Sequence, residues 1–487
     1  MLFPTTAFAV FFAIVFLLHW ALITRTGPWK LFTLISSYFF YGFWNWKFAF
    51  LIGGFSIINH GFAVLIHRTP VESPRRRHLL ALVCFLDLGV LAFFKYFGFL
   101  TLTVFQTLAA VGLPVPEGSM MTLLELAGRI VLPVGISFFT FQGLSYVIDV
   151  YRGEIRPGKT LLDFSIYLAF FPQLVAGPIV RACDLLPQME TPPRRLLPLD
   201  TGRAAFLILT GLFKKIVVAN FLAGNLADPV FASPEAYGAQ DAILGVWAYA
   251  LQIYCDFSAY SDIAIGVSLL MGFHFPINFN APYFATSMQD FWHRWHISLS
   301  TWLRDYLYIP LGGSRNGELM TYRNQFLTFL LGGLWHGAGW TFVIWGAFHG
   351  AYLSIERFLG RLRHRNQPAA AAEPTGAFSI FWRRIWVFQF VCVSWIFFRS
   401  QTLDDALALF RSMGHWSGPV TLWTPTFLAV LAIGWLVQFL DGTRMEAAWN
   451  RFSRIPVALQ GAACAVVLLI ILGLGPQGVA PFIYFQF

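Results

Sequence analysis

Two histidines stand out by their surroundings. The stretch "NQFLTFLLGGLWHGAGWTFVIWGAFHGAY" begins at Asn324 and carries His336 near its centre, beside Trp335 and among Gly332, Gly333, Gly337 and Gly339. No Asp, Glu, Lys or Arg occurs between Arg323 and Glu356, so the segment reads as built for lipid. Ionisable groups at bilayer depth are rare, and by default they face a functional interior. An imidazole shielded from water stays neutral at pH 7, and a neutral imidazole can take up a proton as a general base. His336 is therefore the first catalytic candidate. The glycines permit close backbone approach or a local break, tolerated at that depth only inside protein or against water. His349, nearer the end of the same stretch, is expected to be structural.

The second histidine lies in "MQDFWHRWHISLSTWLRDYLYIPLGG", Met288–Gly313. Taken as one helix from Asp290 to Tyr308, this segment separates cleanly into two faces. Asp290, His293, Arg294, Ser298, Ser300, Thr301, Arg304 and Asp305 share one side; Phe291, Trp292, Trp295, Leu299, Trp302, Leu303, Tyr306 and Leu307 share the other. Such a helix suits the membrane interface or a cavity wall. His296 breaks the pattern by falling on the apolar arc. It is either a packing histidine bonded to a carbonyl or a side chain aimed into the bundle, and we expect the second. Arg304 and Asp305 read equally as a surface pair or as ligand-binding groups.

A third region, "LQIYCDFSAYSDIAIGVSLLMGF" from Leu251 to Phe273, places Tyr254, Asp256, Ser258, Tyr260, Ser261 and Asp262 in an otherwise apolar run. Two aspartates there must pair, cap a broken helix or line a cavity; the residues leave all three open. "PVGISFFTFQGLSYVIDVYRG" and "FPQLVAGPIVR", with Pro133, Gln142, Pro172, Gln173, Gly177 and Pro178, suggest irregular or re-entrant helices. Trp335, Arg304, Asp305, Gln142, Tyr254 and Asp256 are the candidate substrate-binding residues. The five cysteines are scattered with no close pair, which fits neither a disulfide framework nor a zinc site. No metal and no permanently bound cofactor is expected.

The elements that must position these groups follow from composition. Of 487 residues, 57% are hydrophobic and 12% charged, about half the charge of an average soluble domain. Apolar runs fall near Thr5–Ile23, Leu31–Phe48, Phe48–Ile66, Leu79–Leu100, Ile130–Val150, Phe164–Val180, Ala204–Ala223, Ala242–Phe273, Gln325–Tyr352, Phe381–Phe398, Thr424–Phe439 and Ala458–Leu474. With re-entrant segments this predicts roughly 11 to 13 membrane-embedded helices. We expect an all-α polytopic membrane protein forming one domain over residues 1–487. Residues 1–125 would supply peripheral helices, 126–400 the catalytic core and 401–487 the C-terminal helices. Phe3–Ile23 lacks a basic n-region and a small-residue cleavage site after it, so it reads as a retained span.

The net charge of +9 sits in short loops, "HRTPVESPRRRH", "YRGEIRPGK" and "RFLGRLRHR". Such loops face the cytoplasm, which puts the N-terminus outside the cell and the charge against anionic lipid rather than nucleic acid. Polar connectors lie at Met189–Asp200 and Arg363–Phe378.

"QDFWHRWHISLSTWLRDYLYIPLGGSR" followed by "GGLWHGAGWTFVIWGAFHG" resembles the membrane-bound O-acyltransferase family. "SSYFFYGFWNWKF", "LPVGISFFTFQGLSYVIDVYRG", "FPQLVAGPI", "YCDFSAYSDIAIG" and the ending "FIYFQF" are similar to that family in the same order. The likeness is greatest to the bacterial alginate O-acetyltransferase branch, which modifies exopolysaccharides; the D-alanyl transferase branch acting on teichoic acids is the alternative. The resemblance implies a ring of tilted helices around a central tunnel in the bacterial inner membrane. It also implies acetyl-coenzyme A as cytosolic acyl donor and a polysaccharide acceptor, with a periplasmic acetyltransferase or SGNH-hydrolase-like partner protein. By the resemblance His336 is the catalytic histidine and His296 orients or relays. Neither histidine lies beside an obvious nucleophile, so direct transfer is favoured over an acyl-enzyme. A transporter or flippase passing an intact molecule is the rival from another class, weakened by the lack of an internal repeat; a secretion scaffold is a third reading.

Overall fold

The computed structural model describes residues 1–114, 117–175, 177–191, 198–364, 376–439 and 442–474. Parts of both expected connectors and the terminal "FIYFQF" lie outside the described residues. Among the described residues every regular element is a helix, as the all-α expectation requires. Lipid offers no hydrogen bonds, so a spanning backbone must satisfy itself, and a helix does so within one segment.

The described residues group into two compact units. The first comprises residues 7–195 with 273–275 and Met1. It carries α1 (Thr6–Leu22), α2 (Thr26–Gly42), α3 (Lys47–Arg68), α4 (Pro74–Ala110), α5 (Glu117–Arg129), α6 (Ile136–Arg152), α7 (Leu161–Ala169), α8 (Phe171–Leu174) and α9 (Ala182–Glu190). The expected irregularity appears between α7 and α8, where Phe170 leaves helical geometry. By contrast α6 is a regular helix bounded by Gly135 and Gly153, both left-handed. Gly135 has no substitute: φ is +74° and a Cβ there would stand 2.3 Å from the Leu174 carbonyl oxygen. Thr160 caps α7 by accepting from the Asp163 amide, and Asp163 also pairs with Lys30.

The second unit comprises residues 196–272 and 276–487 with 2–6. It begins with α10 (Pro198–Leu212), which continues through α11 (Asn220–Leu222) and α12 (Asp228–Ala232) with π-helical turns at Phe213–Ala219 and Ala223–Ala227. Then follow α13 (Ala239–Leu270), α14 (Met288–Arg294), α15 (Ile297–Leu303), a π-turn at Arg304–Tyr308, α16 (Glu318–His336), α17 (Trp340–His364) and α18 (Ala377–Arg399). The described part ends with α19 (Leu403–Met413), α20 (Pro425–Leu436), α21 (Gly442–Ser453) and α22 (Val457–Leu474). A capping box of Thr402 and Asp405 starts α19.

Among the described residues, five helical stretches are long and apolar enough to cross a membrane: Lys47–Arg68, Pro74–Ala110, Asp200–Ala232, Ala239–Leu270 and Ala377–Arg399. Thr6–Leu22, Pro425–Leu436 and Val457–Ile471 are shorter apolar helices. Two expectations are corrected. Gln325–Tyr352 is not one span: the chain leaves the helix after His336, Gly337 is extended, and α17 starts at Trp340. Asp290–Tyr308 is not one helix: it breaks at Trp295–His296 and ends in the π-turn.

Candidate active site

His336 is the last residue of α16, at the tip of the hairpin that α16 makes with α17. Small residues build this hairpin. A Cβ on Gly333 would meet the Phe342 carbonyl oxygen at 2.3 Å, and one on Gly346 would meet that of Phe329 at 2.4 Å. Contacts of this kind exclude any side chain, so the two helices pack backbone to backbone, as in membrane-helix pairs generally. Gly346→Ala should therefore force the hairpin open, at a cost of about 1–3 kcal/mol or more. Gly360→Ala, on the same helix with open space at that position, should leave stability unchanged or improve it. Equal unfolding temperatures for the two variants in detergent would contradict this account.

The His336 side chain is buried, with 6% of the residue exposed. Its ring lies edge-on to Trp335 and Trp345, each with centroids 5.0 Å away, and to Phe398 of α18 at 5.2 Å. The imidazole is thus held in an aromatic enclosure. His349, one hairpin arm away, bonds through Nε2 to Ser394 Oγ at 3.0 Å, and Ser394 in turn donates to the Val391 carbonyl. That fits its expected structural role, tying α17 to α18.

His296 is fully buried and its position differs from the helical-wheel expectation. It occupies the break between α14 and α15 with φ +43°, one of two non-glycine residues with positive φ among those described. A left-handed backbone costs such a residue about 1–3 kcal/mol and persists only where its surroundings over-determine it. Those surroundings are Asn278, whose carbonyl oxygen accepts the Ile297 amide at 2.9 Å. The Asn278 Oδ1 accepts the Ser298 amide at 3.2 Å and the Ser298 hydroxyl at 2.9 Å. His296 Nδ1 lies 3.1 Å from the same oxygen. Phe257 of α13 meets the imidazole edge-on at 4.7 Å, and Trp335 lies 6.4 Å from it. Trp335 is therefore a ring neighbour of both histidines.

The preceding helix is anchored just as firmly. Ser287 caps α14 by accepting the Asp290 amide, and the Glu356 carboxylate on α17 accepts the Met288 and Gln289 amides at 3.1 and 3.2 Å. Anionic groups are favoured at a helix start. Burial pushes the Glu356 carboxyl up, and the two amides oppose that.

The other candidates separate into groups. Tyr254 lies on α13 with its ring 6.4 Å from Trp295, the neighbour of His296. Asp256 pairs with Lys215 at 2.8 Å, the two side chains 3% and 2% exposed. Asp262 pairs with Lys214 at 2.6 Å, and that ammonium also donates to Ser258 Oγ at 2.8 Å. Of the three possibilities left open for the aspartates, pairing is realised, and α13 runs through them unbroken, so they cap no break. Arg304 and Asp305 pair with each other at 2.6 Å, Arg304 being 59% exposed. Gln142 belongs to the first unit, where its buried amide has no hydrogen-bond partner among the described residues.

The sequence reading misses Asn278, Lys214, Lys215, Trp345 and Phe398. The lysines carried a usable signal: two cations within the apolar run Ala204–Ala223 require two buried anions, and "YCDFSAYSD" supplies them. Asn278 carried none, because its role depends on meeting a chain break distant in sequence.

Comparison with known proteins adds independent findings. The profile of the family described as membrane-bound O-acyltransferase matches residues 154–398. A Pseudomonas putida protein named "Probable alginate O-acetylase" is 38% identical over 94% of this chain and 94% of its own length. Its Pseudomonas aeruginosa namesake is 42% identical over 80% of this chain and 70% of its own. A Helicobacter pylori "Peptidoglycan O-acetyltransferase" is 37% identical over 79% of this chain and 73% of its own.

Proposed function

The chain belongs to the membrane-bound O-acyltransferase family and is a multi-pass acyltransferase, and we propose that it moves an acetyl group from cytosolic acetyl-coenzyme A towards a polysaccharide outside the membrane. The acceptor is an exopolysaccharide of the alginate kind, reached directly or through a serine of a periplasmic acetyltransferase or SGNH-hydrolase-like partner. The membrane is the bacterial inner membrane, with the N-terminus on the periplasmic side. The observation that carries this reading is the pair of buried histidines, His296 and His336, that share Trp335 as a ring neighbour.

In the proposed reaction His336 takes the proton of the acceptor hydroxyl as its oxygen attacks the thioester carbonyl. The carbon–sulfur bond then breaks, and the coenzyme thiolate leaves with the proton that His336 returns. His296 orients the hydroxyl. General-base help of this kind is worth roughly 10²–10⁴-fold, and alignment of both substrates away from water adds to it. The aromatic enclosure of His336 supports the reading, since it excludes water that would hydrolyse the thioester.

The test uses the purified full-length protein in detergent with radiolabelled acetyl-coenzyme A and a periplasmic extract. Label passing to the extract is the expected result. Label retained on the chain itself would replace direct transfer by an acyl-enzyme. Transfer only from a D-alanyl carrier would move the assignment to the teichoic-acid kind of reaction, and transport without a covalent product would remove it altogether.

A further inference from the structure

We propose that Asn278 is a positioning residue that sets which nitrogen of His296 carries the proton, leaving Nε2 as the acceptor atom of the second histidine. The inference deepens the proposed function, on which it rests for its catalytic meaning.

The Ser298 backbone amide can only donate, and it points at the Asn278 side chain from 3.2 Å. The atom it meets must therefore be the amide oxygen, whatever orientation a side-chain amide is first given. The opposite end agrees, because Asn278 Nδ2 donates to Ser261 Oγ of α13 at 3.0 Å. An amide oxygen has no proton, so the Ser298 hydroxyl at 2.9 Å must donate to it as well. His296 Nδ1, 3.1 Å from that same oxygen, faces an atom that can only accept. It must carry a hydrogen. A neutral imidazole has a single N–H, so Nε2 holds the lone pair.

Asn278 cannot easily turn over. Its side chain is tied to α13 on one side and to the start of α15 on the other, while its backbone oxygen holds the Ile297 amide. The residue thus fixes the left-handed turn at His296 through its backbone and side-chain oxygens, and the proton position of the ring through the side-chain oxygen. The consequence for chemistry is specific. An imidazole with Nε2 unprotonated can accept a hydrogen bond from the acceptor hydroxyl while it is being positioned, before its single proton passes to His336. The opposite tautomer could only donate to the hydroxyl oxygen and would draw on the lone pair that attacks. The rings of Phe257 and Phe279, at 4.7 and 6.4 Å, restrict rotation that could exchange the two nitrogens.

The experiment is nitrogen NMR on the purified full-length protein labelled with ¹⁵N-histidine, with His296→Gln used to assign the signal. Wild type should show His296 with a protonated Nδ1 and an unprotonated Nε2. Asn278→Ala should shift that signal towards the opposite tautomer or an exchanging mixture. Its kcat should fall by roughly 10- to 100-fold, the range seen when a histidine loses its orienting partner, with KM for the acyl donor unchanged. Asn278→Asp keeps an oxygen acceptor and should retain the Nδ1 proton and more of the rate. A protonated Nε2 in wild type overturns the proposal, even if no variant folds, and so does an unaltered His296 signal in Asn278→Ala. The spectrum needs no turnover. An Nδ1 proton in a wild-type protein without acyl transfer would support the proton assignment while removing the proposed function.

Discussion

Replacing His336 by alanine is expected to lower acyl transfer by roughly 10²- to 10⁴-fold, the largest effect of any single side chain here. Alanine would also leave a cavity among Trp335, Trp345 and Phe398, so lost rate alone would not separate chemistry from packing. His336→Phe makes the separation. It keeps an aromatic ring in the enclosure and removes the proton acceptor, so it should unfold near the wild-type temperature and be as inactive as alanine. The measurement is label transfer from acetyl-coenzyme A by purified protein, beside a thermal melt of the same sample. Substantial transfer by a folded His336→Phe would show that the proton is taken elsewhere.

The second large effect concerns stability. Lys215 and Asp256 are almost completely buried and pair at 2.8 Å. Removing one partner of such a pair strands a charge and costs about 3–5 kcal/mol. Lys215→Met is expected to show that loss in detergent unfolding. Lys215→Met combined with Asp256→Leu leaves no stranded charge and should recover most of it, because an apolar replacement of similar volume is often neutral or better. The double variant also decides what Asp256 does. If it folds and transfers normally, Asp256 serves the packing of α13 against the π-turn at Phe213–Ala219. If it folds and is inactive, Asp256 serves the substrate, as the sequence reading had it. Wild-type stability in Lys215→Met alone would mean that Asp256 is uncharged in the folded protein.

Both cases bear on how much was legible beforehand. Helices fall within most of the expected apolar runs, from Thr6–Leu22 to Val457–Leu474, with Phe164–Val180 and Gln325–Tyr352 broken. His336 was legible because its signal is local: one imidazole, flanking glycines and a long stretch without charge. The pairing of α16 with α17 within that stretch was not, since Gly337–Gly339 reads as a flexible point in a span as readily as its end. The wheel drawn through Asp290–Tyr308 failed for a related reason. Periodicity assumes an unbroken helix, and the break at His296 is made by Asn278 accepting the Ile297 and Ser298 amides. Nothing within the segment itself announces that partner.

By itself the sequence determined the class of the protein, most of its helical segments, the shielded position of His336 and the need for buried aspartates to find partners. All of these follow from the same physics: lipid cannot satisfy backbone or charge, so hydropathy and isolated polar residues become readable one segment at a time. Only the tertiary structure decided that Lys214 and Lys215 answer Asp262 and Asp256. It also decided that Glu356 secures the start of α14, and that Trp335 neighbours both histidines. Each of these depends on groups brought within a few ångströms from distant parts of the chain: the sequence shows that a buried charge needs a partner, and only the folded chain shows which residue it meets.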